Sequence, residues 1–174
     1  MIGAHILREH YRLKAEPMSG AAFFCLSSEL DPLAFAERRN GSIQASIEGF
    51  HSWIECKGYV IDLLSPLFPE NVAEIDPSVT IPRRAFMRPR VAMSLNLPAR
   101  GDTPGTFLLI PDEACRANMI KTFMARPMLG DLLHVCTTWY QRPPKKMQSE
   151  FQIRDDRGKV TTLRRKDIGI KGLW

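Results

Sequence analysis

The sequence predicts an α+β fold: an N-terminal helix packed on an antiparallel sheet, with additional C-terminal helices and a hairpin. Three observations carry this. Residues 2–13 repeat apolar side chains at helical spacing, 51–64 read as two strands joined by a Gly turn, and 112–140 return to helical periodicity. At 174 residues, 44% hydrophobic and 25% charged, the chain is long enough to bury a sizeable core, and 1–174 is read as one domain. Within it, 1–70 form the core portion and 71–174 a sheet extension with helices.

Taking the elements in order, Ile2, Ile6 and Leu13 fall near one another on a helix, with Ala4, Leu7 and Tyr11 alongside. No cap residue precedes this helix, so the reading expects its true start to lie upstream. Pro17-Met-Ser-Gly20 should break the pattern, and Ala21–Leu26 should form a short buried strand. Ser27–Ser42 reads as a polar connection whose Asn40-Gly41 turn introduces a strand from Ile43. On that strand Ile43, Ala45, Ile47, Gly49, His51, Trp53 and Glu55 share one face, with Phe50, Ile54 and Cys56 on the other. Lys57-Gly58 turns the chain, and Tyr59–Leu64 returns as a second strand ended by Ser65-Pro66.

Past Pro69 the prolines imply loops, with strands at Arg90–Leu97 and Thr106–Ile110. Asp112 can cap a helix through Phe123, a further helix spans Met128–Tyr140, and Pro143-Pro144 stops it. Phe151–Ile153 and Val160–Leu163 make a last hairpin, and Trp174 is expected to dock on the core.

Composition narrows function. No apolar run approaches the length of a membrane span, and charged residues in the first ten positions exclude a signal-peptide core there, so a soluble cytoplasmic protein is expected. The net charge of +5 is scattered over Arg38-Arg39, Arg83-Arg84, Lys145-Lys146 and Arg164-Arg165-Lys166 without a nucleic-acid motif. Cys25, Cys56, Cys115 and Cys136 are too far apart for a CxxC motif, and His5 and His10 miss the i, i+4 spacing of shared ligands. No metal and no cofactor is called for. Asp131 and His134 are spaced to form an ion pair on the later helix.

The hairpin carries the chemistry. If Lys57-Gly58 is a two-residue turn, Cys56 pairs with Tyr59 and Trp53 stands opposite Asp62. His51, two residues from Trp53, is then a diagonal neighbour of Asp62 on the same face, close enough for the side chains to meet. A carboxylate on one imidazole nitrogen fixes the tautomer and leaves the other nitrogen as a base or, protonated, as the partner of a thiolate. The same geometry also fits a sheet histidine satisfied by a neighbouring carboxylate.

Gly49-Phe-His-Ser-Trp-Ile-Glu55, then Gly58-Tyr-Val-Ile-Asp62 and Ser65-Pro66, resembles the transglutaminase-like core of the papain-like cysteine hydrolases, where a His-x-Trp-hydrophobic-Glu strand leads through a Gly turn to a strand ending in Asp. The chain is also similar to an uncharacterised bacterial domain family of that superfamily. The resemblance covers about the first 70 residues. It implies His51 as catalytic base, Asp62 as its orienting carboxylate, Trp53 and Gly49 along the substrate groove and Pro66 shaping the exit loop.

It further implies a nucleophilic cysteine at the N-terminus of the leading helix, which here holds none, so the family's cysteine would fall at or before Met1. A chain starting downstream of its natural start, a substitute nucleophile, and a non-catalytic relative are three open explanations; the substitute candidate is Cys25, in the strand beside the hairpin. The implied activity is thiol-dependent hydrolysis or acyl transfer at an amide or peptide bond, the alternative an inactive binding module of the same fold. The expected partner is a peptide or amide substrate, with no specific nucleic acid and no membrane; a homo-oligomer stays open.

Overall fold

A computed structural model gives the fold and describes every residue except 47, 144, 147, 148, 156 and 165–167. Pro144, Ile47, Arg165 and Lys166, all named above, therefore lie outside the described residues. The fold is α+β, built on a curled antiparallel sheet. Its central strand is β1 (Ala15–Phe24). One edge of β1 pairs first with β5 (His51–Cys56), Gly20 facing His51, and then with β2 (Leu33–Phe35), Ala22 facing Phe35. Its other edge pairs with β8 (Phe107–Pro111) along residues 20–24. β6 (Tyr59–Asp62) and β7 (Phe86–Pro89) continue the sheet beyond β5.

Strand alternation gives the sheet two faces with different covers. On one, Phe24, Trp53, Val60, Phe86, Phe107 and Leu109 form the main core, closed by Phe68 and Val72 of α2 (Phe68–Ile75) and by Trp174. Trp174 docks as expected, its N–H donating to the Ala85 carbonyl at 3.0 Å. On the other face α1 (Ile2–Tyr11) sets Ala4 against Ala15, Ile54 and Cys56. Next to it lies α3 (Glu113–Met124), whose Met119 sulfur accepts from the hydroxyls of Ser19 and Ser52, which face each other across β1 and β5. The predicted cap is in place, with the Asp112 carboxylate accepting from Cys115 N–H at 2.8 Å. α4 (Pro127–Gln141) packs outside α1 and α3, and β9 (Glu150–Arg154) with β10 (Val160–Arg164) makes the final hairpin.

Several expectations change. β1 does not break at Pro17-Met-Ser-Gly20 but runs through it. The Pro17 carbonyl accepts from Arg116 Nε on the side away from β5, so the missing N–H of this proline removes no rung of the β1–β5 ladder. The long strand from Ile43 is interrupted. Only β4 (Ser42–Gln44) forms there, paired with β3 (Glu37–Arg39) across the Asn40-Gly41 turn, and hydrogen bonds between Ser46 and Gly49 come before β5 begins at His51. Arg90–Leu97 is a short 3-10 turn and loop, with Arg90–Ala92 helical. α2 falls where loop was expected, since Pro69 sits in its first turn, where a missing N–H costs nothing.

Candidate functional site

The register at Lys57-Gly58 is the predicted one: Cys56 pairs with Tyr59 and Ile54 with Ile61, which sets Trp53 opposite Asp62. Both turn residues have positive φ, 49° and 77°, the geometry of a two-residue hairpin turn. The consequence is a contact. His51 Nε2 and Asp62 Oδ2 stand 2.6 Å apart, with His51 5% and Asp62 1% exposed. At that length the bond is charge-assisted, and it fixes the tautomer with the proton on Nε2.

The carboxylate is saturated from its other side. Asp62 Oδ1 accepts the N–H groups of Leu64 at 2.7 Å and Ser65 at 3.1 Å, while Ser65 Oγ donates back to the Asp62 carbonyl at 2.8 Å. This knot positions the carboxylate before the imidazole arrives. Sequence reasoning assigned no role to Ser65 or to the Leu64 N–H, although an Asp followed three residues on by Ser-Pro is a recognisable turn signal. Pro66 opens the 3-10 turn Ser65–Leu67 that leads away, and its carbonyl accepts from Arg83, which also grips the Glu70 carboxylate at 2.7 and 2.9 Å.

Around the imidazole is an aromatic box. Phe35 stacks on it at 4.4 Å between centroids and 26°, and Phe24 and Phe68 close it at 5.5 and 5.8 Å. Sequence reasoning missed Phe35 because β2 had been taken for loop. The Nε2 bond is the only side-chain hydrogen bond His51 makes among the described residues. The fully buried side-chain nitrogens without a partner there are His10 Nε2, Arg88 Nε and Trp174 Nε1.

The other candidate residues separate from the pair. Cys25 continues the β1–β8 ladder, and alternation from Phe24 turns it to the face opposite His51. It is fully buried, its thiol donates to the carbonyls of Asp102 at 3.2 Å and Ser27 at 3.4 Å, and burial with the nearby Asp102 charge pushes its pKa up. As a substitute nucleophile Cys25 is thus misplaced and held as a thiol. Cys56 points to the α1 face, as the register implied.

Burial also raises the thiols of Cys115 and Cys136, on α3 and α4. α1 itself covers the face away from His51, so a cysteine on its present first turn would lie across the sheet from the imidazole. Trp53 is 2% exposed and serves mainly as core, although it borders a cleft of about 360 Å3 at the first turn of α1. Gly49 lies before the strand, its N–H donating to Ser46 Oγ, where a β-carbon would meet the Ala36 backbone at 3.0 Å. Asp131 and His134 are both exposed on α4 and make no ion pair among the described residues. No group of three or more metal-ligating side chains occurs among the described residues, and no described helix is long and apolar enough to cross a membrane.

No curated protein matches the chain. A protein whose crystal structure was solved as a genomics target is similar, with 29% identity and a TM-score of 0.79 over 99% of this chain and 80% of its own. The profile of the family described as protein of unknown function (DUF2026) matches residues 1–174, and the chain belongs to that family.

Proposed function

We propose that His51 and Asp62 are the base half of a thiol-dependent site for hydrolysis or acyl transfer at an amide or peptide bond, of the transglutaminase-like kind. The observation that carries this is the 2.6 Å contact from Nε2 to a saturated carboxylate, which leaves Nδ1 as the free nitrogen. In that chemistry a thiolate attacks the carbonyl carbon, and the protonated Nδ1 gives its proton to the leaving amine as the thioester forms. Nδ1 then takes a proton from water or a second amine, which displaces the thiolate. Asp62 positions the ring and stabilises its protonated form throughout. Cys25 and Cys56 turn away from His51, and Cys115 and Cys136 lie on the helices of the opposite face, so which thiol serves the imidazole is the part of the reading left to experiment.

The second reading is a catalytically silent binding module of the same fold. It is favoured by the placement and raised pKa of Cys25, which make it unfit to serve His51.

Iodoacetamide labelling of the protein at neutral pH, with and without the His51→Ala change, separates the two. The catalytic reading expects one cysteine to label at least tenfold faster than the others, and to slow at least tenfold in His51→Ala. Equal labelling of every cysteine in both proteins would sink it and leave the binding module.

A further inference from the structure

His51 is 5% exposed, yet a base that exchanges protons with a substrate has to be reached from outside. Some part of its cover must therefore give way. The three rings around the imidazole differ in how firmly they are held. Phe24 and Phe68 are 1% and 0% exposed, and Phe24 packs on Phe68 at 4.8 Å and edge-on against Phe86 at 5.2 Å. Displacing either would open the core itself. Phe35 is only half-buried, and among the described residues its ring meets no ring but those of His51, Phe24 and Phe68. It lies flat on the imidazole, and of the three covers it alone reaches the surface.

The backbone that carries Phe35 is just as able to yield. β2 is three residues long, its middle residue Ala34 is exposed, and it pairs only with residues 22–24 of β1, its outer edge having no strand partner among the described residues. Short edge segments open at far lower cost than central strands, and a partly exposed side chain changes rotamer without moving the core. We infer that Phe35 is the gate and the specificity-determining wall of the His51–Asp62 site: it covers the imidazole in this structure and admits a substrate by swinging off the ring face. The place it leaves is bounded by the imidazole and by the rings of Phe24 and Phe68. A flat apolar group fits there, whereas a charged one finds no partner among three rings, so the substrate is an amide with an aromatic group beside the reacting bond.

Carbethoxylation by diethyl pyrocarbonate, which acts on an unprotonated imidazole nitrogen, measures that access when each histidine is followed by peptide mass spectrometry. With Phe35 in place, His51 should react at least tenfold more slowly than His134, which is exposed on α4. Phe35→Ala should speed His51 at least tenfold and leave His134 unchanged, while the buried Cys25 thiol stays refractory to N-ethylmaleimide because the core remains shut. Should Cys25 become reactive too, Phe35→Leu, which keeps apolar bulk but not the flat face, carries the test, with at least a threefold rise expected at His51. Benzamide at millimolar concentration should then slow His51 at least threefold in the opened variant, and acetamide should not. An unchanged His51 rate in both variants, or benzamide protecting no better than acetamide, would overturn the inference. It rests on the reading of His51 as a base that substrate must reach, but the assay reads access alone, so it can fail while the thiol labelling succeeds, and the reverse.

Discussion

The two faces of the central sheet are built differently. The His51 face is densely packed: Phe24, Phe68, Phe86 and Phe107 are at most 2% exposed, and the hydrogen-bonded pair of His51 and Asp62 lies among them. The opposite face carries α1, α3 and α4, yet α1 buries only Ala4 and the other two bury nothing. Aromatic packing thus fixes the geometry of the pair to the accuracy of a core, where displacing a side chain strands its neighbours. The helical face is held by its ladder ends, by the Asp112 cap and by isolated contacts such as the hydroxyl pair of Tyr11 and Tyr140. A densely packed core and a loosely packed helical layer sit on opposite sides of one sheet.

The largest test of that contrast removes the carboxylate. Asp62→Ala orphans a buried imidazole nitrogen and two backbone N–H groups, and should cost about 3–5 kcal/mol in urea unfolding. A loss under about 1 kcal/mol would mean the pair is not enclosed as described. A matched pair of truncations compares the faces more directly. Leu109→Ala, 4% exposed on the densely packed face, should cost about 2–5 kcal/mol, whereas Leu133→Ala on α4 should cost about 1 kcal/mol or less. Equal costs would show the helical layer to be as well packed as the core.

The smallest effect concerns alkali. Folding raises the Cys25 thiol above its ordinary value of 9.0, so the native state holds a proton that the unfolded chain gives up. Stability is unaffected below about pH 9 and declines as pH rises from there toward the native pKa. Cys25→Ala should flatten that alkaline decline in the pH dependence of the unfolding midpoint. An unchanged decline would place its source elsewhere.

Much of this could be read from the chain because the signals were local. Lys57-Gly58 determines one hairpin register, and the register alone brings His51 to Asp62. Asp112 announces α3, and the apolar period marks α1 and α4. α2 was equally local, with Phe68, Val72 and Ile75 at helical spacing, but the prolines around it suggested loop. Other features were hidden because they depend on partners far along the chain. Pro17 fits within β1 because its other edge has no strand partner there, β8 pairing only from Gly20 onward, and Phe35 meets His51 because β2 follows β5 along the same edge of β1.

By itself, then, the sequence marked α1, α3 and α4, the hairpin and, given a two-residue turn at Lys57-Gly58, the juxtaposition of His51 with Asp62, since a two-residue side-chain period then sets the register. Tertiary structure decided which face each layer covers. No local pattern says that α1 lies across the sheet from the imidazole, or that Cys25 spends its thiol on two carbonyls. Those outcomes come from how the strands share the edges of β1, a property of long-range pairing that neighbouring residues do not encode.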